Sequence, residues 1–490
     1  MACILGYARD AIICAFREKR LIRRTRIIRK AEFVQSELDQ GYRGSYGRGT
    51  CPFASDYSKY DGNQKEPVTP PQNGAGIGQK FTWGPTFFEG FKNFPGTRFV
   101  YDIPFAKLNR SNSLAQAKEA LHSIGMENLE ALEIGNEPDL YVRQGVRSKP
   151  YGPAEYSAEW KAYSDWLVAS LGLPNKPLFQ ALTFAGATDG QGDRAWTPHN
   201  ALDAGMASGG RIKTVSIHHY QRTNSTAGLQ CKSENELRRN PVFMFQKLTG
   251  SATFMNHTAL VSSLSAHKRN FMWMQTNHLK MGRVLGESGR YTTSGSSIDN
   301  SEGIWAGALW TADYLMYTMT LNVSRVHMQL GQVFGYAAWH PVTIGDISPQ
   351  VRSPYYGHLF AADFIGKSNA FRVKELDTGD DLSAVYAGYD AGVLNKMAII
   401  NFDVWRGDGS RPTRSFKIQI PAGVKSVQVR TLTSAGGATT SGSFSWAGQT
   451  WTHQNNGVAS PEHPSSVSIK AVDGFVNIAV GASEAALILL

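Results

Sequence analysis

Cysteine is scarce in this 490-residue chain: Cys3, Cys14, Cys51 and Cys231 are the full set, and three of them fall in the first 51 residues. Their scatter gives no disulfide framework and no metal-ligand spacing, so the fold must rest on its core and no metal site is expected. Long hydrophobic runs are missing as well. The most apolar helical stretch, Ile304 to Leu321, carries Asp313 in its middle, which leaves no segment with the roughly 18 uncharged apolar residues that a membrane span requires. Charge is thin outside the N-terminus. Residues 1–30 hold nine Lys or Arg against Asp10 and Glu18, a net of +7 out of a formal total of +10, and the other 460 residues carry only +3. The body of the chain therefore has no basic footprint for nucleic acid. The basic leader would suit a membrane surface or RNA, a solvated tail or an incorrectly assigned gene start. It is not a secretory signal peptide, because its apolar run comes first and arginines follow without a small-residue cleavage site.

Residues 40–79 are rich in Gly, Tyr, Pro, Asn and Gln without apolar periodicity and read as loop or disorder. From Lys80 onward short apolar strands alternate with amphipathic helices. The strands expected are Phe81–Trp83, Phe99–Ile103, Leu132–Gly135, Leu178–Thr183, Thr214–His218, Val284–Gly286 and Arg325–Leu330, with helical stretches between them and a last one at Tyr355–Ile365. Alternation of this kind implies parallel pairing through right-handed crossovers. Seven units are counted where a barrel needs eight. The predicted fold class is therefore α/β: a (β/α)8 TIM-type barrel with its first strand missing or degenerate, its only candidate in the leader being Arg26-Ile27-Ile28. Beyond Lys367 the helical period is lost, Gly, Ser and Thr punctuate short strands, and a C-terminal β-sandwich is expected. The domains read as 1–79 (atypical leader and loop), 80–366 (barrel) and 367–490 (sandwich).

Two of the apolar strands end in carboxylates. Ala131-Leu132-Glu133-Ile134-Gly135-Asn136-Glu137-Pro138-Asp139 delivers an amide and a carboxyl to one spot, and Val284-Leu285-Gly286-Glu287-Ser288-Gly289 delivers a second carboxyl 150 residues later. In a barrel both fall at the C-terminal strand ends, where active sites lie. Glycoside cleavage needs one protonated carboxyl for the departing oxygen and one ionised carboxylate across the anomeric carbon, with no cofactor. Glu137 suits the acid, Glu287 the nucleophile, and Asn136 the sugar's 2-hydroxyl. The competing reading makes either glutamate a strand-end ion-pair partner. Glu133, in phase with Glu137 but deeper in the strand, is expected to be structural. His327 and Gln329 alternate on the last barrel strand and share a face, whereas Tyr336 and Trp339 in the following loop are candidates to stack on a sugar ring.

These residues resemble glycoside hydrolase family 79, which contains the fungal and bacterial β-glucuronidases and the heparanases, and the likeness to the fungal β-glucuronidase branch runs from about Phe81 to the C-terminus. Its motifs here are Ile134 to Tyr141, Tyr151-Gly152-Pro153, His219-Tyr220, Gly286-Glu287, Ala308 to Tyr314 and Pro354-Tyr355-Tyr356. The resemblance implies a β/α barrel with an appended sandwich, retaining chemistry with Glu137 as acid/base and Glu287 as nucleophile, and Tyr220 beside the nucleophile. It also implies a terminal glucuronate as substrate, in a glucuronic-acid-containing glycan, whose carboxylate is met by the loop after the nucleophile, with Tyr291 and Gly295 in that role. Ser288-Gly289 stands where the family has Asn-Ser, and Arg290 is an alternative partner for the uronate. The expected activity is a retaining exo-β-glucuronidase or 4-O-methyl-glucuronidase. An endo-acting heparanase-like enzyme and a catalytically impaired glycan-binding barrel are the rivals. Secretion is expected from the resemblance, and four acceptor sequons, at Asn109, Asn224, Asn256 and Asn322, lean the same way.

Overall fold

The computed structural model describes residues 58–64, 68–69, 81–93, 97–190, 192–222, 255–291, 303–329, 337–340 and 348–490. Its centre is one parallel sheet. Six strands, β4 (Phe99–Ile103), β5 (Leu129–Ile134), β6 (Phe179–Phe184), β7 (Ile212–Ile217), β9 (Gly282–Tyr291) and β10 (Arg325–Met328), are hydrogen-bonded in that order and curl as in a TIM-type barrel. The short strand β8 (His219–Arg222) continues β7 and pairs with the second half of β9. Helices α1 (Arg110–Ile124), α2 (Pro153–Leu171), α3 (Pro198–Asp203), α4 (His257–Ser263), α5 (Ser265–Asn277), α6 (Ala306–Thr320) and α7 (Ser353–Ile365) fall between or after these strands. Local chemistry explains their limits. Asn109 caps α1 by accepting from the Asn112 amide, Pro153 starts α2 at a position whose N–H is dispensable, and Gly172 ends α2 in the left-handed region.

The strand expectations from Phe99 onward are met. The first one differs. Phe81–Trp83 (β3) does not extend the six-stranded ladder; it pairs with β1 (Ser58–Tyr60) in parallel and with β2 (Val68–Thr69) antiparallel. Ser58–Tyr60 lies in the stretch read as loop. Three residues without apolar alternation carry no sequence signal, and tertiary contacts decide: Tyr60 Oη donates to Glu119 of α1 at 2.9 Å, and its ring meets Phe88 edge-on. Arg26-Ile27-Ile28 lies outside the described residues.

The strands after α7 are antiparallel. β13 (Arg372–Leu376), β14 (Ser383–Asp390), β15 (Val393–Asn401), β17 (Ser426–Ser434), β18 (Phe444–Trp446), β19 (Val467–Lys470) and β21 (Glu484–Leu489) form one sheet, and β16 (Thr413–Gln419) pairs with β20 (Phe475–Gly481) in another. β13 and β18 were not foreseen, because one is a polar edge and the other only three residues long. Val385, Ile399, Val427, Ile478 and Ile488 form the core between the two sheets. This unit is fastened to α6, a helix buried on all sides from Ala306 to Thr318. The Trp305 and Ala306 amides donate to the Thr440 and Ala438 carbonyls, and buried Asp313 accepts from His257 at 3.0 Å and from Tyr386 of β14. His257 also reaches Glu375 of β13 at 2.8 Å. Burial pulls this imidazole down, but Asp313 and Glu375 outweigh it and raise the pKa to about 10, so the clasp is an ionic one at neutral pH. Helices α6 and α7 touch closely at Gly357, where an added Cβ would collide with the Ala308 carbonyl.

A buried ion cluster lies at the opposite end of the barrel from the strand C-termini. A bulge at the start of β5 frees Glu130 from the ladder, and its carboxylate meets Arg325 of β10 at 2.6 Å, Lys213 of β7 at 2.8 Å and Arg98 before β4 at 3.2 Å. Removing one partner of such a cluster leaves a desolvated guanidinium. Glu130→Gln should therefore cost about 3–5 kcal/mol in a urea unfolding measurement; a loss below about 1 kcal/mol would show that the cluster is effectively solvated.

Candidate active site

Two strand ends and one imidazole build the site. Glu137 follows β5 by three residues and adopts φ +48°, a left-handed conformation that costs a non-glycine residue about 1–2 kcal/mol. Pro138 then opens a single 3₁₀ turn. Glu287 sits on β9 at a bulge: Leu285 pairs with Val326 but Ser288 pairs with Met328, so Gly286 and Glu287 together oppose one residue, His327. The bulge changes which side chains face inward. Ser288 and Arg290 turn to α6, where Ser288 accepts from Tyr314 at 3.0 Å and the Arg290 guanidinium lies 6.0 Å from the Trp310 ring. Glu287 turns to Glu137. Between them stands His218, whose Nδ1 is 3.1 Å from Glu137 Oε1 and 3.8 Å from Glu287 Oε2, so these two oxygens are at most about 7 Å apart.

The two carboxyls are unequally supplied with donors. Glu287 accepts from Tyr220 Oη and from the Gln329 side chain and also faces His218. Glu137 meets His218, while its buried Oε2 has no partner among the described residues, nor has the buried Nδ2 of Asn136 next to it in the chain. Burial pushes the Glu287 carboxyl up and Glu137 adds to this, whereas His218, Tyr220 and Gln329 pull it down; the net direction is up. For His218, burial lowers the pKa but the bond to Glu137 and the charges of Glu287 and Glu137 reverse it, to about 9. A cationic imidazole thus bridges two acids, Glu137 buried and Glu287 still partly open to solvent. His267 of α5 donates from Nε2 to the His218 carbonyl at 2.9 Å and fixes the backbone from behind.

The structure brings together Glu137, Glu287, Asn136, Tyr220 and Gln329. His327 is placed lower: it hydrogen-bonds the Gly286 backbone, and burial together with the charge of Arg325 lowers its pKa to about 3, so the ring is neutral. Tyr291 closes β9 opposite Arg222 in backbone terms, and Gly295 and Tyr336 lie outside the described residues. Arg290, considered above for the uronate, points to Trp310 and away from the carboxylates. Trp339, in a two-residue strand, β11 (Trp339–His340), that pairs with β12 (Gln350–Val351), packs its edge on Tyr355 at 6.2 Å. His218 was the residue overlooked. Its signal was its phase, since residues 218 and 220 point the same way in an extended chain and Tyr220 had already been singled out.

The chain is similar to known proteins in both sequence and fold. Residues 385–487 match the glycosyl hydrolase family 79 C-terminal beta domain. The chain is 26% identical over 439 residues to a β-glucuronidase of Aspergillus niger, across 84% of this chain and 76% of that protein. It is also 24% identical over 377 residues to a β-glucuronidase of Neurospora crassa, across 69% of this chain and 63% of that protein's length. The chain is thus similar to glycoside hydrolase family 79, in its C-terminal part through that domain and over most of its length through the two β-glucuronidases. Among solved structures, a 4-O-α-L-rhamnosyl-β-D-glucuronidase from Fusarium oxysporum 12S superposes with a TM-score of 0.70 at 21% identity, covering 94% of this chain and 91% of that one. A family 51 arabinofuranosidase from Xanthomonas axonopodis pv. citri does so at 0.53 with 14% identity, covering 95% and 89%. At these identities both speak for the fold of the enzyme alone.

Beneath the two carboxyls lies a polar layer drawn by sheet register. Asp102, Glu133, Gln180 and Thr214 are successive partners across β4 to β7. Gln180 donates to Glu133 and accepts from Thr214 at 2.9 Å. Burial and the charge of Asp102 raise the Glu133 pKa from 4.5 to about 8. A carboxyl with a raised folded pKa holds its proton in the native state after the unfolded chain has released it, so stability falls as pH rises between those values. Glu133→Gln keeps the bond from Gln180 and removes the titration. Its unfolding midpoint relative to the parent should rise from pH 4.5 to pH 8 and level off above; a pH-independent difference would mean that Glu133 is ionised throughout.

Proposed function

We propose that this protein is a retaining exo-β-glucuronidase of family 79, acting on terminal β-linked glucuronate or its 4-O-methyl derivative in glycans. The observation that carries the reading is the pair of buried carboxyls at the C-terminal end of the parallel sheet, bridged by one imidazole and within about 7 Å of each other. That spacing suits direct attack by one carboxylate on the sugar better than insertion of a water between the two. The names of the Aspergillus and Neurospora relatives and of the Fusarium structure support the glucuronide.

In this reading Glu137 protonates the glycosidic oxygen as its bond to the anomeric carbon breaks, and a Glu287 oxygen bonds to that carbon from the opposite face. Water, deprotonated by Glu137, then attacks the anomeric carbon; Glu287 leaves as a carboxylate and the β-configured sugar is released. Tyr220 and Gln329 hold the Glu287 oxygens in place for attack, and Asn136 is positioned to meet the 2-hydroxyl. His218 keeps its proton through both steps and reduces the repulsion between the two carboxyls. Tyr291 and Gly295 are assigned to the uronate by resemblance. Secretion is part of the proposal, and the sequon asparagines Asn109 and Asn322 are both exposed.

The test is product stereochemistry together with substrate preference. Proton NMR should show the β-anomer of glucuronic acid as the first product, and p-nitrophenyl β-glucuronide should be preferred over the β-glucoside. Glu137→Gln should lower kcat/KM on alkyl glucuronides by about 10²–10⁴-fold, and Glu287→Gln should abolish turnover. A first-formed α-anomer refutes retention, a preferred glucoside refutes the uronate, and an inactive parent leaves only glycan binding.

A further inference from the structure

We propose that Thr183 is a positioning residue for the general acid: its hydroxyl holds the peptide before Glu137 so that the carboxyl is aimed at the departing oxygen. The proposal rests on the reading of Glu137 as acid/base.

Glu137 is held in a left-handed backbone conformation, and an unrestrained glutamate would relax to the extended or right-handed region and carry its carboxyl elsewhere. The regular ladder does not prevent this, because the pairing of β5 with β6 ends at Glu133 and Gln180, below the site. Above that level the two strand ends are joined by different bonds. The Glu137 amide donates to the Thr183 carbonyl at 2.9 Å, Thr183 Oγ1 donates to the Gly135 carbonyl at 2.8 Å, and the Ala185 amide donates to the Asp139 carboxylate at 3.0 Å. The β6 end is strained in the same sense. Leu182 and Thr183 have φ of +73° and +48°, and a β-branched residue there persists only when its surroundings over-determine it. Tyr156 of α2 supplies part of that support, since its hydroxyl accepts from the Leu182 amide at 3.2 Å and donates to the Leu182 carbonyl at 3.3 Å.

Thr183 thus grips the acid's strand end twice, once through its own carbonyl and once through its hydroxyl. It is fully buried, so it acts through Glu137 and not on the sugar. Valine at this position would keep the volume and the β-branch while removing the hydroxyl and leaving the Gly135 carbonyl without its donor. The expected consequence is a carboxyl displaced by a fraction of an ångström to an ångström, a scale at which proton transfer is sensitive.

Leaving-group dependence reads this directly. An alkyl glucuronide needs a proton for its alkoxide to depart, whereas a dinitrophenolate departs without one. Methyl and 2,4-dinitrophenyl β-glucuronide should be compared for the parent, Thr183→Val, Thr183→Ser and Glu137→Gln. Thr183→Val should lose about 10- to 100-fold in kcat/KM on the methyl glucuronide, lose less than about 3-fold in kcat/KM on the dinitrophenyl substrate, a ratio that reports only the first step, and be largely restored in Thr183→Ser, which keeps the donor. Thr183→Ala provides the same comparison if valine disturbs folding. Equal losses on both substrates, or none, with Glu137→Gln still selective, overturn the role of Thr183 alone. A Glu137→Gln variant without leaving-group selectivity overturns the acid assignment and this proposal with it.

Discussion

Two carboxyl groups buried beside one imidazole repel each other and attract it, and this triangle of Glu137, His218 and Glu287 is the constraint that the surrounding structure serves. Each corner comes from a different strand end, and none would hold its place alone. The charges pull His218 into the proton-bound state against the effect of burial, and that cation in turn allows two acids to be packed away from water. Specificity between the two acids arises from their other neighbours. Tyr220 and Gln329 converge on Glu287 and favour its ionised form against the effect of burial, while Glu137 has one oxygen that meets no donor among the described residues. Identical side chains are thereby given different roles by local hydrogen bonding.

The cost of this arrangement appears in the backbone. A glutamate at φ +48°, a neighbouring Leu-Thr pair also at positive φ and a bulge at Gly286-Glu287 are all departures from regular parallel strands, and all lie at one end of the sheet. The opposite end has a bulge as well, at the start of β5, but the residue it frees joins an ion cluster. There the Glu130 cluster ties β5, β7 and β10 together with Arg98, and the register-matched row from Asp102 to Thr214 fills the space between the floor and the site with groups that bond one another. Cross-strand ties below make irregularity above affordable in free energy, because the strained residues hang from a sheet that is already fixed.

Much of this was legible in the sequence. The six ladder strands announced themselves as apolar runs, and Asn136-Glu137-Pro138 and Gly286-Glu287 marked the chemistry because a strand that ends in a carboxyl seldom does so for packing. Gln329 followed from phase and Tyr220 from the resemblance. What escaped reading depends on contacts between distant parts of the chain. Ser58–Tyr60 becomes a strand only because Phe81–Trp83 and α1 lie beside it. Arg290 turns from the pocket because of a bulge that no pattern of residues reveals. His218 reads as an ordinary strand-end histidine until the two glutamates are seen on either side of it. The left-handed conformation of Thr183 has no sequence mark at all, since threonine avoids it when left to itself.

The antiparallel unit after α7 has a part in the same argument. Helix α6 is buried around its whole circumference, so a barrel alone would expose one of its faces, and the antiparallel sheet covers it. The contacts are concentrated where they bear on the site. The first amides of α6, which lack partners within the helix, are satisfied by Ala438 and Thr440, and the Trp305 indole donates to Ser483 at 2.8 Å. Further along the helix, Tyr314 bonds Ser288 and stacks on His219, the neighbours of Glu287 and His218. A rigid α6 therefore backs both residues, and the second unit contributes to the geometry of the first without supplying a group to the reaction.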